Sequence, residues 1–331
     1  MKVQKRMSFL IGILVFILVM WVSTGMSQTK TPVRIGTWGT EDASFFLAGA
    51  ISRILNRDVP KVNSVVVPSG TARNFMGFEN REMELGWIQT EALYNAPLGE
   101  GGPPFKKGEI FKKGRVVLYL SPALQHFVVL DGSKIKKVTD LKNVTGAVMS
   151  PASLMPALIP LRYHGIKDDE LKIRYMLYGA QVDALKDGAL DVAFISTLVP
   201  SPAIMQLSKE KKIRMLHFEK EKIAKAVKEN PQYVMGIVPI DIYAKGVPET
   251  DYVSMGQQII FGTSSDLPED LIYEITKAIC THVDEIMATH VEGKSFAVEN
   301  TAYWIKNIEH PYPFHPGAKK YLKEKGVKFV E

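Results

Sequence analysis

Short apolar runs bounded by turn residues alternate along this chain with segments whose apolar residues recur every three to four positions. The first kind of run fits a strand and the second a helix. Val33–Thr37 alternates as a strand. After the turn at Trp38–Asp42, with Asp42 or Ser44 as cap, comes a helix whose core face is Phe46, Leu47, Ala50, Ile51, Ile54 and Leu55. Val65-Val66-Val67 reads as a second buried strand, Ser69-Gly70-Thr71 as its turn, and 72–80 as a short helix. This β-α-β-α-β order predicts a doubly wound parallel sheet.

The pattern then repeats. Phe78 to Gln89 and Leu185 to Ser196 each end a helix, turn, place one acid (Glu84, Asp191) and enter a short apolar strand that stops at a polar side chain. The two strands lie 107 positions apart, about one ordinary domain. Two similar α/β lobes are therefore expected, with a cleft between them for a small molecule.

Residues 95–115 read as a Gly-, Pro- and Lys-rich surface excursion. Val116–Leu130 is strand-like and broken at Ser121-Pro122, the expected first crossing between lobes. Strands follow at 146–149, 171–177 and 213–217, and Met255–Thr263 reads as one strand returning to the first lobe. Asp266 is placed to cap a helix with Glu269 in a capping box, and Leu271, Ile275, Ile279, Val283 and Ile286 form its buried stripe. The expected division is a leader at 1–27, a discontinuous first lobe from 28–125 and 255–331, and a second lobe at 126–254.

The leader rests on Lys2, Lys5 and Arg6, the apolar run Ser8–Val22 and the small residues Gly25 and Ser27, the pattern of a secretory signal peptide. The alternative is an uncleaved anchor. Either way the remainder is expected in the periplasm. Without the leader the chain has 38 basic against 35 acidic residues, a net of +3. Its Lys pairs are scattered, so no nucleic-acid stripe is formed. The single cysteine, Cys280, cannot make an internal disulfide and sits in a helical apolar pattern.

Catalytic signatures are missing. There is no nucleophile elbow, no paired metal histidines on one helix turn and no Walker loop. Gly99–Gly102 precedes Pro103-Pro104 and reads as a plain loop. His310 and His315 flank a Pro-rich turn without further ligands nearby. Glu84 and Asp191 read as turn formers. No cofactor, no metal and no enzyme activity is expected. What remains are the largely polar stretches at the C-terminal ends of strands: 37–44, 69–71, 89–90, 150–153 and 196–197; the candidate ligand-binding residues in and beside them are Thr37, Trp38, Thr40, Ser44, Phe45, Thr71, Gln89, Ser153 and Thr197. Ligands of open parallel sheets bind just outside these ends, and helix starts there can hold an anion. Each such residue is also an ordinary helix cap; the recurrence in both lobes carries the reading.

These residues resemble the TAXI class of substrate-binding proteins, the solute receptors of TRAP transporters. That family opens with a strand and a Gly-Thr-Gly-Gly-Thr-Gly-Gly-Thr-Tyr-Tyr run. Here Gly36, Thr37, Gly39 and Thr40 keep its frame, while Trp38, Glu41 and Asp42 replace glycines and Ala43-Ser44-Phe45 stands for Thr-Tyr-Tyr. Asn74, Glu79, Glu84-Leu85-Gly86, Gln89, Val138–Lys142, Asp183–Gly188, Leu267–Lys277 and His315–Ala318 also match, over about 32–327. In the second lobe Ala152-Ser153-Leu154-Met155-Pro156 keeps only the serine of Gly-Ser-Gly-Thr-Glu. The resemblance implies an α/β type II periplasmic-binding fold, two doubly wound lobes joined by a hinge. It further implies capture of a small organic anion, a carboxylate, by lobe closure and delivery to TRAP-type permease subunits, by a monomer. Trp38 and Phe45 suggest an apolar part in the ligand. The alternatives are a sensor or partner-binding module of the same fold that has lost transport, and a two-lobed enzyme.

Overall fold

The computed structural model describes residues 30–40, 42–95, 108, 111–150, 153–307 and 312–329. The expected leader, the Gly99–Gly102 loop, Glu41, Ala152 and His310 lie outside the described residues. No helix among the described residues is long and apolar enough to cross a membrane.

The first half opens with β1 (Thr31–Thr37), α1 (Ala43–Asp58), β2 (Val62–Pro68), α2 (Thr71–Asn80), β3 (Leu85–Gln89) and α3 (Thr90–Asn95). β4 (Gly114–Tyr119) leads across to β5 (Ala123–Leu130). The middle of the chain supplies β6 (Val144–Val148), α4 (Leu154–Tyr163), β7 (Leu171–Tyr175), α5 (Tyr178–Lys186), β8 (Val192–Thr197), α6 (Pro202–Glu210) and β9 (Ile213–Met215). α7 (Lys220–Glu229), β10 (Tyr233–Val238), β11 (Tyr252–Gln257) and β12 (Ile259–Ser264) follow. The tail is α8 (Glu269–Thr281), α9 (Val283–Met287), α10 (Val298–Asn307) and α11 (Pro316–Glu324).

Two sheets result, with strand orders β2-β1-β3-β12-β4 and β10-β11-β5-β8-β6-β7, β9 pairing with β5 outside the second path. β1 and β3 run parallel, as do β6 with β7 and with β8. Each sheet packs its own apolar core: Trp87, Phe261 and Phe296 anchor one, Phe127, Phe194 and Phe218 the other.

The sequence echo has a structural meaning. The Glu84 backbone N–H donates to the Arg34 carbonyl at 3.2 Å, and the Arg34 N–H donates back to Glu84 Oε2 at 2.8 Å. Asp191 and Thr145 repeat this with 2.9 and 2.7 Å. Each acid clips the start of its strand to the parallel neighbour, β3 to β1 and β8 to β6. The expected role was a bond to the acid's own turn; the carboxylate instead satisfies a backbone donor of the adjacent strand, where parallel pairing begins.

Gly36 and Asn74 explain one another. The Asn74 side chain lies across β1, and a Cβ on Gly36 would sit 1.9 Å from its Oδ1. Asn74 Nδ2 donates to the Trp87 carbonyl at 3.0 Å, tying α2 to β3.

Several local expectations are corrected. Phe46 is exposed, because α1 turns Leu47, Ala50, Ile51, Ile54 and Leu55 to the sheet and leaves its neighbour outside. β2 is an edge strand, so Val65 is exposed and Val66 and Val67 only half-buried. Met255–Thr263 is two strands, one in each sheet, meeting at Gln258. β5 starts at Ala123 and β11 ends at Gln257, so the expected boundaries at 125/126 and 254/255 fall inside strands of the second sheet. Pro268, not Asp266, precedes the helix; the Asp266 carboxylate pairs with Lys113 at 2.9 Å and Arg81 at 3.1 Å. The buried stripe is shared by α8 and α9, which break at His282.

Candidate functional site

The C-terminal ends of β1, β2 and β3 and the loops after β6 and β7 line a cavity of about 540 Å³. Trp38, Gly39, Pro68, Ser69, Gly70, Thr71, Ala72, Arg73 and Gln89 line it from the first lobe, and Met149, Ser150, Ser153 and Leu177 from the second. Its size suits a small organic molecule. Gly70 makes the turn into α2 with φ of 96°, a left-handed conformation that favours glycine, and its N–H donates to the Thr37 carbonyl at 2.7 Å. That bond holds the start of α2 beside β1.

One wall is apolar. Trp38 is 5% exposed, while Leu177, beyond the end of β7, is 57% exposed. Trp38 is held at both ends: its backbone N–H donates to Ser44 Oγ at 3.1 Å, and its indole Nε1–H donates to Thr71 Oγ1 at 2.9 Å. The one ionisable lining residue among the described residues is Arg73, in the first turn of α2. It is exposed, and its side chain makes no hydrogen bond or ion pair among the described residues.

A polar relay leaves the cavity toward the other lobe. Thr71 Oγ1 donates to Gln89 Oε1 at 3.4 Å, and Gln89 Nε2 donates to Gln257 Oε1 at 2.9 Å. Gln257 Oε1 also accepts from Ser196 Oγ at 3.4 Å, and Gln257 Nε2 donates to Glu91 Oε2 at 2.7 Å. Burial raises the Glu91 carboxyl above its usual range, against the opposite pull of the Tyr233 hydroxyl and the Gln257 amide that bond it. The relay therefore joins β3 and α3 to β8, β10 and β11.

Two further links tie the crossing strands. Gln258 Nε2 donates to the Leu120 carbonyl, and the Leu120 N–H donates to the Ile259 carbonyl at 2.9 Å. A separate bridge spans the lobes directly, from Thr197 Oγ1 to Asp42 Oδ2 at 2.9 Å. The other oxygen of Asp42 accepts from the Ser44 N–H at 2.8 Å and caps α1.

Of the residues expected at the site, Trp38, Thr71, Gln89 and Ser153 come together around the cavity. Thr37, Thr40, Ser44, Phe45 and Thr197 do not line it. Thr37 is buried, its carbonyl accepting from Ser69 and Gly70. Ser44 is buried beneath the Trp38 backbone it holds. Thr197 is buried against Asp42. Thr40 is exposed, and Phe45 packs edge-to-face on Phe46 at 6.1 Å. Sequence reasoning missed Arg73, Met149 and Leu177, while Ser150 lay in the polar stretch 150–153 that it named. Arg73 was findable as the only cation in the first turn of the helix after β2.

Among the described residues no three His, Cys, Asp or Glu side chains gather as metal ligands. His315 caps α11 through Nδ1, and its Nε2 meets the Leu267 carbonyl at 3.0 Å. Burial pushes the Cys280 thiol up to about 12, which leaves it protonated and unreactive.

Solved structures of similar fold include a periplasmic binding protein. The chain is similar to the periplasmic aliphatic sulphonate binding protein SsuA from Escherichia coli, with a TM-score of 0.50 and 16% identity over 88% of this chain and 78% of that one. It is similar also to the alkanesulfonate-binding protein SsuA from Xanthomonas axonopodis pv. citri, solved with bound MOPS, with a TM-score of 0.50 and 14% identity over 88% of this chain and 83% of that one. At such identities the likeness is one of fold: two α/β lobes, a hinge and a cleft, the type II periplasmic-binding architecture. The NMT1-like family pattern matches residues 35–326, nearly all of the described chain, and the protein belongs to that family.

Proposed function

We propose that this protein is an extracytoplasmic solute receptor that captures a small organic anion with an apolar part by closing its two lobes, and hands it to a TRAP-type permease. The observation that carries the reading is the cavity of about 540 Å³ lined from both lobes, with Arg73, unpaired among the described residues, and an apolar wall at Trp38, Met149 and Leu177. A ligand that touches both lobes stabilises the closed form over the open one, because only that form offers all its contacts. Binding and release need no chemistry. Ligand contacts are assigned to Trp38, Thr71, Arg73, Gln89, Ser150 and Ser153. The lobes are divided at Ser121-Pro122 and at Gln258, and residues 1–27 serve as the export leader.

A carboxylate is the first choice of anion, from the family resemblance. A sulfonate is the second, since two proteins of similar fold are named for binding one. A thermal-shift panel of carboxylates and sulfonates with alkyl and aryl bodies tests the proposal. At least one member is expected to raise the melting temperature in a saturable way, as any ligand of the native state does. A panel without effect overturns it.

A further inference from the structure

We infer that Glu91, acting through Gln257, fixes which atom of the Gln89 amide faces the cavity, so that the ligand taken there carries a hydroxyl as well as its acidic group. This rests on the solute-receptor reading and narrows it to a hydroxy acid.

The inference follows from donor and acceptor bookkeeping along the relay. An amide can present either its oxygen or its nitrogen to a neighbour, and the surrounding network decides which. A carboxyl oxygen that takes a bond from an O–H or N–H acts as an acceptor. Glu91 takes bonds from two directions, the Tyr233 hydroxyl and Gln257 Nε2. With its nitrogen committed there, Gln257 must turn its oxygen the other way. Ser196 Oγ at 3.4 Å and Gln89 Nε2 at 2.9 Å meet that oxygen. Gln257 is buried, so no solvent competes for it. Gln89 in turn spends its nitrogen on Gln257 and leaves its oxygen on the cavity side.

Among the described residues only the Thr71 hydroxyl, at 3.4 Å, reaches that oxygen. The same hydroxyl accepts the Trp38 indole N–H at 2.9 Å, so its proton is directed to Gln89. A carbonyl-type oxygen has two lone pairs, and one stays available to the cavity. The hydroxyls of Ser69, Ser150 and Ser153 can rotate to donate or accept, and so do not discriminate. Among the described lining side chains, two have a fixed sense and capacity to spare: Arg73, which only donates, and Gln89 Oε1, which only accepts. Arg73 suits the acid. Gln89 Oε1 requires a donor on the same ligand. No carboxylate lines the cavity among the described residues, so a neutral hydroxyl suits that donor better than an ammonium group.

Matched probes test this by titration calorimetry: 2-hydroxy-4-methylpentanoate, 4-methylpentanoate and leucine, with mandelate and phenylacetate as a second pair. In the unaltered protein the hydroxy acid is expected to bind about tenfold tighter than its deoxy partner, and leucine more weakly than the hydroxy acid. In Glu91→Gln the Gln257 and Gln89 amides are released, and the preference is expected to fall to about twofold or less while the deoxy acid keeps its affinity. A purely structural role for Glu91 would weaken both acids alike. The comparison in the unaltered protein stands even where the variant does not fold. Equal binding of the two partners, or tighter binding of leucine, overturns the hydroxyl inference and leaves the receptor reading in place. Binding by none of the probes overturns the hydroxyl inference, and the receptor reading falls with it only if the carboxylate and sulfonate panel is also without effect.

Discussion

Thr197 Oγ1 donates to Asp42 Oδ2 at 2.9 Å across the gap between the lobes, 155 positions apart in the chain. Both residues are almost fully buried. One oxygen of the carboxylate caps α1 and the other holds the second lobe, so a single side chain starts a helix and latches the cleft.

The latch and the cap can be separated. Thr197→Val removes the bridge and leaves the cap. A hydrogen bond to a charged group contributes about 1.5–3 kcal/mol, and the variant is expected to lose about that much stability. It should also open more readily, seen as a larger radius of gyration by solution scattering. Asp42→Ala should cost about 1 kcal/mol more through the lost cap. Unchanged stability and radius in Thr197→Val would remove the latch.

The paired acids of the echo are expected to differ in weight. Glu84 is buried and takes bonds from the Arg34 N–H at 2.8 Å, Nε at 2.9 Å and a guanidinium nitrogen at 2.6 Å. Asp191 is exposed and takes one, from Thr145. Glu84→Ala should therefore cost about 2–3 kcal/mol and Asp191→Ala about 1 kcal/mol or less. Chemical denaturation of both variants decides it, and an equal cost would contradict the account.

Arg73→Gln tests the charge preference of the cavity. Arg73 is exposed, so its attraction for an anion is screened by solvent and salt. The variant should bind phenylacetate about fivefold more weakly in low salt, with the gap closing as sodium chloride is added. The same affinity in both proteins would take Arg73 out of the site.

His126 makes stability depend on pH. Its Nδ1 faces the Leu124 and Ile195 carbonyls at 2.9 and 3.1 Å, and its Nε2 faces the Tyr243 hydroxyl at 2.7 Å. Nδ1 thus carries the proton and Nε2 accepts. Burial lowers the imidazole to about 4, against 6.5 when free. The folded state therefore disfavours the proton that the unfolded chain takes up. The stabilisation is whole above about pH 6.5 and lost as pH falls through about 4. A shift of that size corresponds to about 3 kcal/mol. Melting temperature measured from pH 7 to pH 4 should fall less steeply in His126→Gln than in the unaltered protein. His164 and His315, also lowered by burial, keep part of the slope. Identical slopes would exclude His126 as a source.

Much of the fold was legible along the chain. Apolar period distinguishes helix from strand, and the repeated turn-acid-strand unit announced two lobes. In a parallel sheet the ends of strands face the crevice, so Trp38, Thr71, Gln89 and Ser153 could be named from local pattern alone. Phe46 and Val65 could not be placed that way. Periodicity separates the faces of an element, but whether a strand lies at the edge of its sheet depends on the order β2-β1-β3-β12-β4.

The sequence by itself determined the elements, the two-lobed α/β plan and the polar strand ends, because these follow from residue spacing and turn chemistry over a few positions. Only the tertiary structure decided which of those polar groups remain available. Asp42 meets Thr197, and Gln89 meets Gln257, 168 positions away. Such partners are chosen by strand order and lobe closure, and they turn Thr197 inward while Gln89 keeps one oxygen for the cavity.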